Sequence, residues 1–249
     1  GPIEDFGRDG FQEVDQVSIF EPVSKAVMRP TDPARYPEHI STAFRIATSG
    51  RPGPVYIDMN EDVIYGKVEE SEAVIPTRAI GRARPAGDPD LIKQAVKMLS
   101  EASSPMIFAG GGVWWSQAYD ELRQLVERMG IPFYTSPMSR GLLPDDHEMS
   151  FPAARSGAFR GADVVLVVGT RMNWMMTFGK RIAPESKIIQ IDIHGEELGH
   201  NRSIDIGIEG DAKTVLQQMI DEAERSGFES KSKSIWIDDL READLSRRE

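Results

Sequence analysis

The feature that most restricts the fold is an unbroken apolar run in the second half of the chain. Val164 to Val168 are all apolar, four of the five are valine, and the run is bounded by Asp163 and Gly169. A strand that is apolar on both faces is typical of the centre of a parallel sheet with helices on either side. Parallel strands also need long crossover connections, which are usually helical. The run therefore predicts an α/β architecture.

The segments around this run alternate between helix and strand patterns. Residues 88–101, 117–129 and 212–225 show helical spacing, whereas 105–109, 131–135, 187–193 and 204–208 are short apolar runs. Alternation of this kind predicts a parallel sheet covered by helices on both faces. We therefore expect residues 88–225 to form one doubly wound, Rossmann-like α/β domain.

The residues on either side of this domain are interpreted as parts of other structures. Helices are predicted near 11–15 and at 38–48, and a strand at 54–59. One strand with its helices cannot bury both faces, so residues 1–65 are expected to be the C-terminal part of another α/β domain. Residues 66–87 have the composition of a linker. Residues 226–249 are expected to be a second linker and a charged helix that buries little and leads toward a domain missing from the chain.

Composition excludes several classes of function. The chain has 29 basic and 40 acidic residues and a net charge of −11, which repels nucleic acid, so no nucleic-acid partner is expected. There is no cysteine, which excludes disulfides and thiolate metal sites and favours a cytoplasmic location. The sequence has neither a signal peptide pattern nor an apolar run of about 18 residues, so no membrane partner is expected. The four histidines lack metal-ligand spacing, and we predict no metal site.

Four predicted strand ends carry residues suited to a ligand. In open parallel sheets, ligands bind outside the carboxyl ends of the strands. Glycines let the backbone approach phosphates, and an aspartate can accept ribose hydroxyls. Taken together, these ends favour a nucleotide site, although the glycines could simply form a tight turn and Asp192 could cap the chain as it leaves the sheet. The candidate residues are Gly110, Gly111 and Gly112, then Arg171, then Asp192, and finally Asp211.

The glycine segment does not match the usual dinucleotide fingerprint. That fingerprint places a third glycine five residues after the first, where this chain has Trp115. The mismatch counts against an ordinary NAD-dependent dehydrogenase.

Six motifs in a fixed order carry a resemblance to a known family. From about residue 7 to 225, the chain resembles the thiamine-diphosphate enzymes of the acetolactate synthase, 2-hydroxyacyl-CoA lyase and oxalyl-CoA decarboxylase superfamily. Asn173 and Trp174 resemble the CoA-dependent members. An acetolactate synthase and a stand-alone nucleotide-binding module stay open as alternatives. The motifs are Phe-Gln-Glu-Val-Asp at 11–15, Pro-Val-Ser-Lys at 22–25, Ser-Gly-Arg-Pro-Gly-Pro-Val at 49–55, Gly-Leu-Leu-Pro-Asp-Asp-His at 141–147, Gln-Ile-Asp-Ile at 190–193 and Gly-Asp-Ala at 210–212.

The resemblance implies an enzyme that makes or breaks a C–C bond next to a carbonyl of an acyl-CoA or 2-keto acid substrate. It implies thiamine diphosphate and Mg²⁺ as cofactors, whose binding motifs the chain lacks, so the chain alone is expected to be inactive. It also implies ADP or FAD in the central domain, and a homodimer or homotetramer. Residues 1–65 correspond to the end of the pyrimidine-binding domain, and 88–225 correspond to the central domain.

The resemblance also assigns roles to single residues. Arg51 and Arg171 correspond to nucleotide phosphate ligands. Gly111 marks a departure, because the oxalyl-CoA type tends to have a lysine beside this glycine turn. Arg155 and Ser156 resemble CoA contacts. The positions that correspond to adenosine contacts are Asp192, Ile193, Asp211 and Ala212.

Three further residues fall on the edge of the family's active site. Phe11 and Gln12 correspond to this edge, and Gln12 could hydrogen-bond a substrate. Lys25 matches a lysine at the substrate channel of acetolactate synthases. It could equally be an exposed lysine at the end of a strand.

Overall fold

The structure, a computed structural model, describes residues 1–11, 13–77 and 83–247. The chain divides into two units, Gly1–Ala83 and Arg84–Glu249, and each unit has its own sheet.

The first unit is built on two short parallel strands, β1 (Ala26–Met28) and β2 (Val55–Ile57). Its helices are α1 (Gln16–Phe20), α2 (Tyr36–Thr48) and α3 (Glu61–Tyr65). The predicted helix near 11–15 is wrong. The helix starts at Gln16 because the Asp15 side chain accepts a hydrogen bond from the Ser18 amide at 3.2 Å, which caps the first turn.

The second unit contains a five-stranded sheet in which every pair of neighbours is parallel. In order across the sheet, the strands are β4 (Phe133–Thr135), β3 (Pro105–Ala109), β5 (Val164–Val168), β6 (Lys187–Asp192) and β7 (Ile206–Glu209). All five residues of β5 are buried, as the apolar run predicted. The strand order reverses between β3 and β5, which is the topological switch point of a doubly wound sheet. The predicted α/β fold class is confirmed.

Six helices accompany this sheet in the described part of the second unit. They are α4 (Pro89–Glu101), α5 (Gly111–Ser116), α6 (Tyr119–Met129), α7 (Arg155–Gly161), α8 (Ala212–Ser226) and α9 (Ile235–Leu245). Helix α8 packs against both α4 and α6. The buried apolar residues of the unit form one contiguous core.

Two of these helices differ from the sequence predictions. The chain enters α5 directly after β3, whereas a turn and then a helix from 117 were expected. Helix α9 was expected to bury little, and this prediction is wrong. Ile237 is 0% exposed, Leu240 is also buried, and the Trp236 indole N–H donates to the Pro105 carbonyl at 3.0 Å. The helix buries more than its charged composition predicts, because Ile237 and Leu240 are three residues apart and so lie on one face.

In the part of the chain that the structure describes, no helix has both the length and the apolar character needed to span a membrane.

Candidate functional site

The switch point is formed by direct contact between the glycines after β3 and the end of β5. The Gly112 amide donates to the Gly169 carbonyl at 2.8 Å, and the Gly110 amide donates to the Val168 carbonyl at 2.8 Å. A Cβ at Gly112 would lie 2.6 Å from the Gly169 Cα, and one at Gly110 would lie 2.2 Å from the Thr170 Cβ. These two positions therefore need glycine for backbone packing, whether or not a phosphate binds.

Gly111 occupies a different environment from its neighbours. A Cβ there would lie 3.2 Å from the Cβ of Met138, which follows β4. Gly111 is also the first residue of α5, so the triplet is the start of a short helix rather than a free turn. A phosphate contact by these glycines stays a prediction.

Arg171 follows β5 and places an exposed cation at this edge. Its side chain is 49% exposed, and its Nε lies 4.0 Å from Oε1 of Glu197. The backbone carbonyl of Glu197 is in turn held by Gln190, a buried residue of β6. The Gln190 amide donates to the Glu197 carbonyl at 3.0 Å and accepts from the Gly199 amide at 3.0 Å.

Glu197 was not singled out from the sequence, and Gln190 was noted only as part of the motif at 190–193. The available signal was an amide side chain inside an otherwise apolar strand. Such a residue must find hydrogen-bond partners when it is buried.

Asp192 ends β6, on the strand next to Arg171. It is buried, and its Oδ1 accepts from the His194 amide at 3.0 Å. Its carbonyl accepts from the Gly210 amide at 2.9 Å, which joins the ends of β6 and β7. The first bond supports the capping interpretation, and a ribose contact stays a prediction. Ile193 is half-buried beside it.

Asp211 follows β7 and lies at the centre of a polar network. It is 1% exposed, and its Oδ1 accepts from Arg84 Nη1 at 3.0 Å and from the Ser116 hydroxyl at 2.6 Å. The same oxygen accepts from the Lys213 amide at 3.1 Å, so Asp211 caps α8. Ala212 is the buried first residue of that helix. Asp211 thus connects Arg84, at the start of the unit, with helices α5 and α8. An adenosine contact by Asp211 stays a prediction.

Arg155 and Ser156 begin α7. The Arg155 side chain lies beside two aromatic rings. Its guanidinium lies 5.3 Å from the Phe108 ring centroid and 5.7 Å from that of Phe159, and Nη1 donates to the Thr135 carbonyl at 3.2 Å. Burial lowers the pKa of Arg155, and the nearby charge of Arg181 lowers it further. Ser156 is exposed. Arg155 is thus a half-buried cation held at the carboxyl end of β4.

Helix α9 holds the turn that precedes these residues. The buried Asp244 accepts from the Ala153 amide at 2.7 Å, two residues before Arg155.

In the first unit, Lys25 and the loop of Arg51 lie together. The Lys25 ammonium donates to the Ser49 carbonyl and, at 2.9 Å, to the Arg51 carbonyl. Desolvation lowers the pKa of Lys25. This lysine therefore fixes the exposed loop that presents Arg51. Phe11 is 87% exposed, and Gln12 lies outside the described residues.

The four strand ends singled out from the sequence thus lie on adjacent strands of one sheet edge. Arg171 and Asp192 present a cation and a carboxylate there. Residues 1–11, 13–77 and 83–247 contain no group of three His, Asp or Glu side chains that could hold a metal ion.

Comparison with known proteins places this architecture in a family. Residues 92–219 match the family model described as "Thiamine pyrophosphate enzyme, central domain". The chain is 37% identical to a probable acetolactate synthase large subunit of Methanocaldococcus jannaschii, over 97% of this chain and 42% of that protein.

Two other relatives have different names. The chain is 39% identical to a 2-hydroxyacyl-CoA lyase of Arabidopsis thaliana, over 95% of this chain and 42% of the relative. It is 34% identical to an oxalyl-CoA decarboxylase of Escherichia coli K12, over 96% of this chain and 42% of that protein. The chain thus spans 42% of the length of these curated relatives. It belongs to the thiamine pyrophosphate enzyme family, and residues 92–219 are its central domain.

Proposed function

We propose that this chain acts within a thiamine-diphosphate enzyme that makes or breaks a C–C bond next to the carbonyl of an acyl-CoA. The observation that carries the proposal is the match of the central domain together with relatives named 2-hydroxyacyl-CoA lyase and oxalyl-CoA decarboxylase. When bound, thiamine diphosphate supplies a carbon nucleophile and an electron sink. We assign no Mg²⁺ site to the described residues, because no group of three metal-ligating side chains occurs among them. The chain alone should show no turnover.

The central domain is proposed to bind the ADP moiety of ADP or FAD at the carboxyl edge of its sheet. Arg171 fits a phosphate because its guanidinium is half-exposed at this edge. Asp192, on the neighbouring strand, fits a ribose hydroxyl. The glycines of the switch point fit a ligand less well, because they already pack against neighbouring backbone and side chains. Asp211 also fits less well, because its carboxylate already caps α8. Arg51 is proposed as a second phosphate ligand on the evidence of its motif alone.

The proposed CoA contacts are Arg155 and Ser156. A half-buried guanidinium beside an exposed hydroxyl at a helix start can bind a phosphate of CoA. The active-site edge formed by Phe11, Gln12 and Lys25 also stays a proposal. So does assembly into a homodimer or homotetramer, which light scattering after size-exclusion chromatography can measure.

The second candidate function is that of an acetolactate synthase with FAD in the central domain. The relative from Methanocaldococcus jannaschii favours it. A bound flavin has a characteristic visible absorption, so a yellow protein would support this candidate over the CoA-dependent one.

A thermal-shift experiment tests the nucleotide proposal. The chain is heated with ADP, FAD, NAD or CoA at the same concentration, because a ligand that binds only the folded state raises the melting temperature. We expect ADP and FAD to stabilise the wild type, and Arg171→Ala to reduce that stabilisation. Arg225→Ala is the matched control, since Arg225 pairs with Glu222 within α8. Stabilisation by NAD alone would contradict the proposal.

A further inference from the structure

The connection between β5 and β6 carries Arg171 and contains an unusual stretch of backbone. Thr177 and Phe178 are consecutive residues with φ of 51° and 54°, which is the left-handed region that non-glycine residues rarely adopt. Such backbone is unfavourable and persists only where surrounding contacts determine it. Contacts within this segment, such as the Phe178 amide on the Asn173 carbonyl at 2.8 Å, and contacts with neighbouring elements therefore hold it in place.

Arg202, in the connection between β6 and β7, binds the backbone that follows this stretch. Its Nη1 donates to the carbonyls of Gly179 at 3.0 Å and Ile182 at 2.8 Å. Its Nη2 donates to the carbonyls of Ala183 at 2.6 Å and Pro184 at 3.4 Å. Only the planar guanidinium offers two nitrogens that can bind four carbonyls in this way, whereas lysine has three donors on one atom.

Asn201 holds the other end of the same segment. Its side-chain amide donates to the carbonyl of Met172 at 3.2 Å, one residue after Arg171. Asn201 itself has a φ of 68°, in the left-handed region that asparagine adopts more readily than most other residues. Residues 201 and 202 thus bind residues 172–184 at both ends.

We propose that Arg202, assisted by Asn201, is a positioning residue for the nucleotide site. It binds the backbone of residues 172–184 and thereby fixes Arg171 at the carboxyl edge, without contacting the ligand itself. Both of its terminal nitrogens already donate to carbonyls of the segment, so we assign the guanidinium to holding this backbone and not to binding the ligand. This inference rests on the proposed nucleotide site and adds to it the residue that orders it.

A merely structural role would lower stability and leave nucleotide affinity unchanged. The experiment therefore measures ADP binding by calorimetry on the full chain, at a temperature where circular dichroism shows every variant folded. We expect Arg202→Gln to weaken ADP binding by roughly tenfold, which is the lower end of what loss of a residue that supports a ligand costs at metal sites. Arg202→Lys should be intermediate, because it restores some of the donors. Arg225→Gln is the matched control and should bind like the wild type.

A second measurement separates this inference from the proposed function. Hydrogen exchange of the Phe178 and Ile182 amides, which donate to Asn173 and Gly179, reports the order of the segment without any ligand. Arg202→Gln should accelerate both. If the wild type binds no ADP, the nucleotide proposal fails, and unchanged exchange in the variant would overturn the positioning role as well.

Two outcomes decide the inference when the wild type does bind ADP. Wild-type affinity in Arg202→Gln overturns it. If that variant does not fold, Asn201→Gly replaces it, since glycine keeps the left-handed backbone and removes only the amide. Unchanged affinity and unchanged exchange in Asn201→Gly would then also overturn the inference.

Discussion

At the scale of single residues, Gly112 is one of the positions where the switch point tolerates no side chain. Its Cα faces that of Gly169, and a Cβ would lie 2.6 Å from it. We predict that Gly112→Ala destabilises the second unit by about 1–3 kcal/mol, the usual cost of overpacking a core. The free energy of unfolding in urea measures this.

Gly157 provides the matched control for that substitution. It lies within α7, and a Cβ there would meet nothing within 4 Å. Gly157→Ala should therefore stabilise the unit by about 0.5–1 kcal/mol, because alanine is the better helix former. Equal effects of the two substitutions would disprove the close backbone packing of Gly112.

Tyr134 carries a buried hydroxyl that has no hydrogen-bond partner within the described residues. Burial raises the pKa of this tyrosine, and the negative charge of Asp244 raises it further. The folded-state pKa of Tyr134 lies above the unfolded value of about 10. The contribution of this group to the free energy of unfolding is therefore fully present below pH ~10, and it is lost as the pH rises further. We predict that Tyr134→Phe removes this part of the alkaline loss.

The same substitution should not destabilise the protein at neutral pH. Replacing an unpaired buried hydroxyl by an apolar group is close to neutral or favourable. Urea unfolding of both proteins from pH 7 to 11 measures the two effects. A loss of more than about 2 kcal/mol at pH 7 would mean that the hydroxyl has a partner after all.

The sequence pointed to most residues of the candidate edge but not to their contacts. Gly110, Arg171 and Asp192 could be singled out because each follows an apolar run, and parallel strands end at one edge. The approach of Gly112 to Gly169 could not be predicted, because it depends on β3 and β5 being neighbours. Glu197 was missed for the same reason: it reaches Arg171 only through the fold of the next connection.

At the scale of elements, apolar periodicity predicted the long helices and central strands well. Helix α4 and strand β3 begin and end within a residue of the expected positions. Short elements were less predictable. Helix α5 starts with glycines, which have poor helix propensity, so only its contact with the end of β5 explains it.

Helix α9 offers a direct test of its packing. Ile237 is 0% exposed and Ile235 is 80% exposed, although both lie in the same turn region of one helix. We predict that Ile237→Ala lowers the free energy of unfolding by about 2–5 kcal/mol, as for other buried aliphatic truncations. Ile235→Ala should change it by less than about 0.5 kcal/mol. Thermal and urea melting of both variants check this, and similar values for the two would contradict the packing of α9.

At the scale of the whole molecule, the two units differ in what they can bury. The second unit has five strands and one contiguous core. In the described part of the first unit, the sheet has two strands, and large side chains such as Phe44 and Tyr65 are exposed. An isolated pair of strands is marginally stable at best.

This difference predicts how separate polypeptides should behave. Residues 84–249 alone should unfold in urea in one cooperative transition. Ile237→Ala should destabilise this polypeptide as much as it does the full chain, because Asp244 and Trp236 of α9 bind residues of the second unit. Residues 1–83 alone should lack a cooperative transition, because two short strands cannot offset the entropy of ordering the chain. Circular dichroism during urea titration of each polypeptide makes the measurement. A cooperative transition in residues 1–83 would show that their core suffices without further strands, and a non-cooperative one in residues 84–249 would show that the five-stranded sheet depends on the rest of the chain.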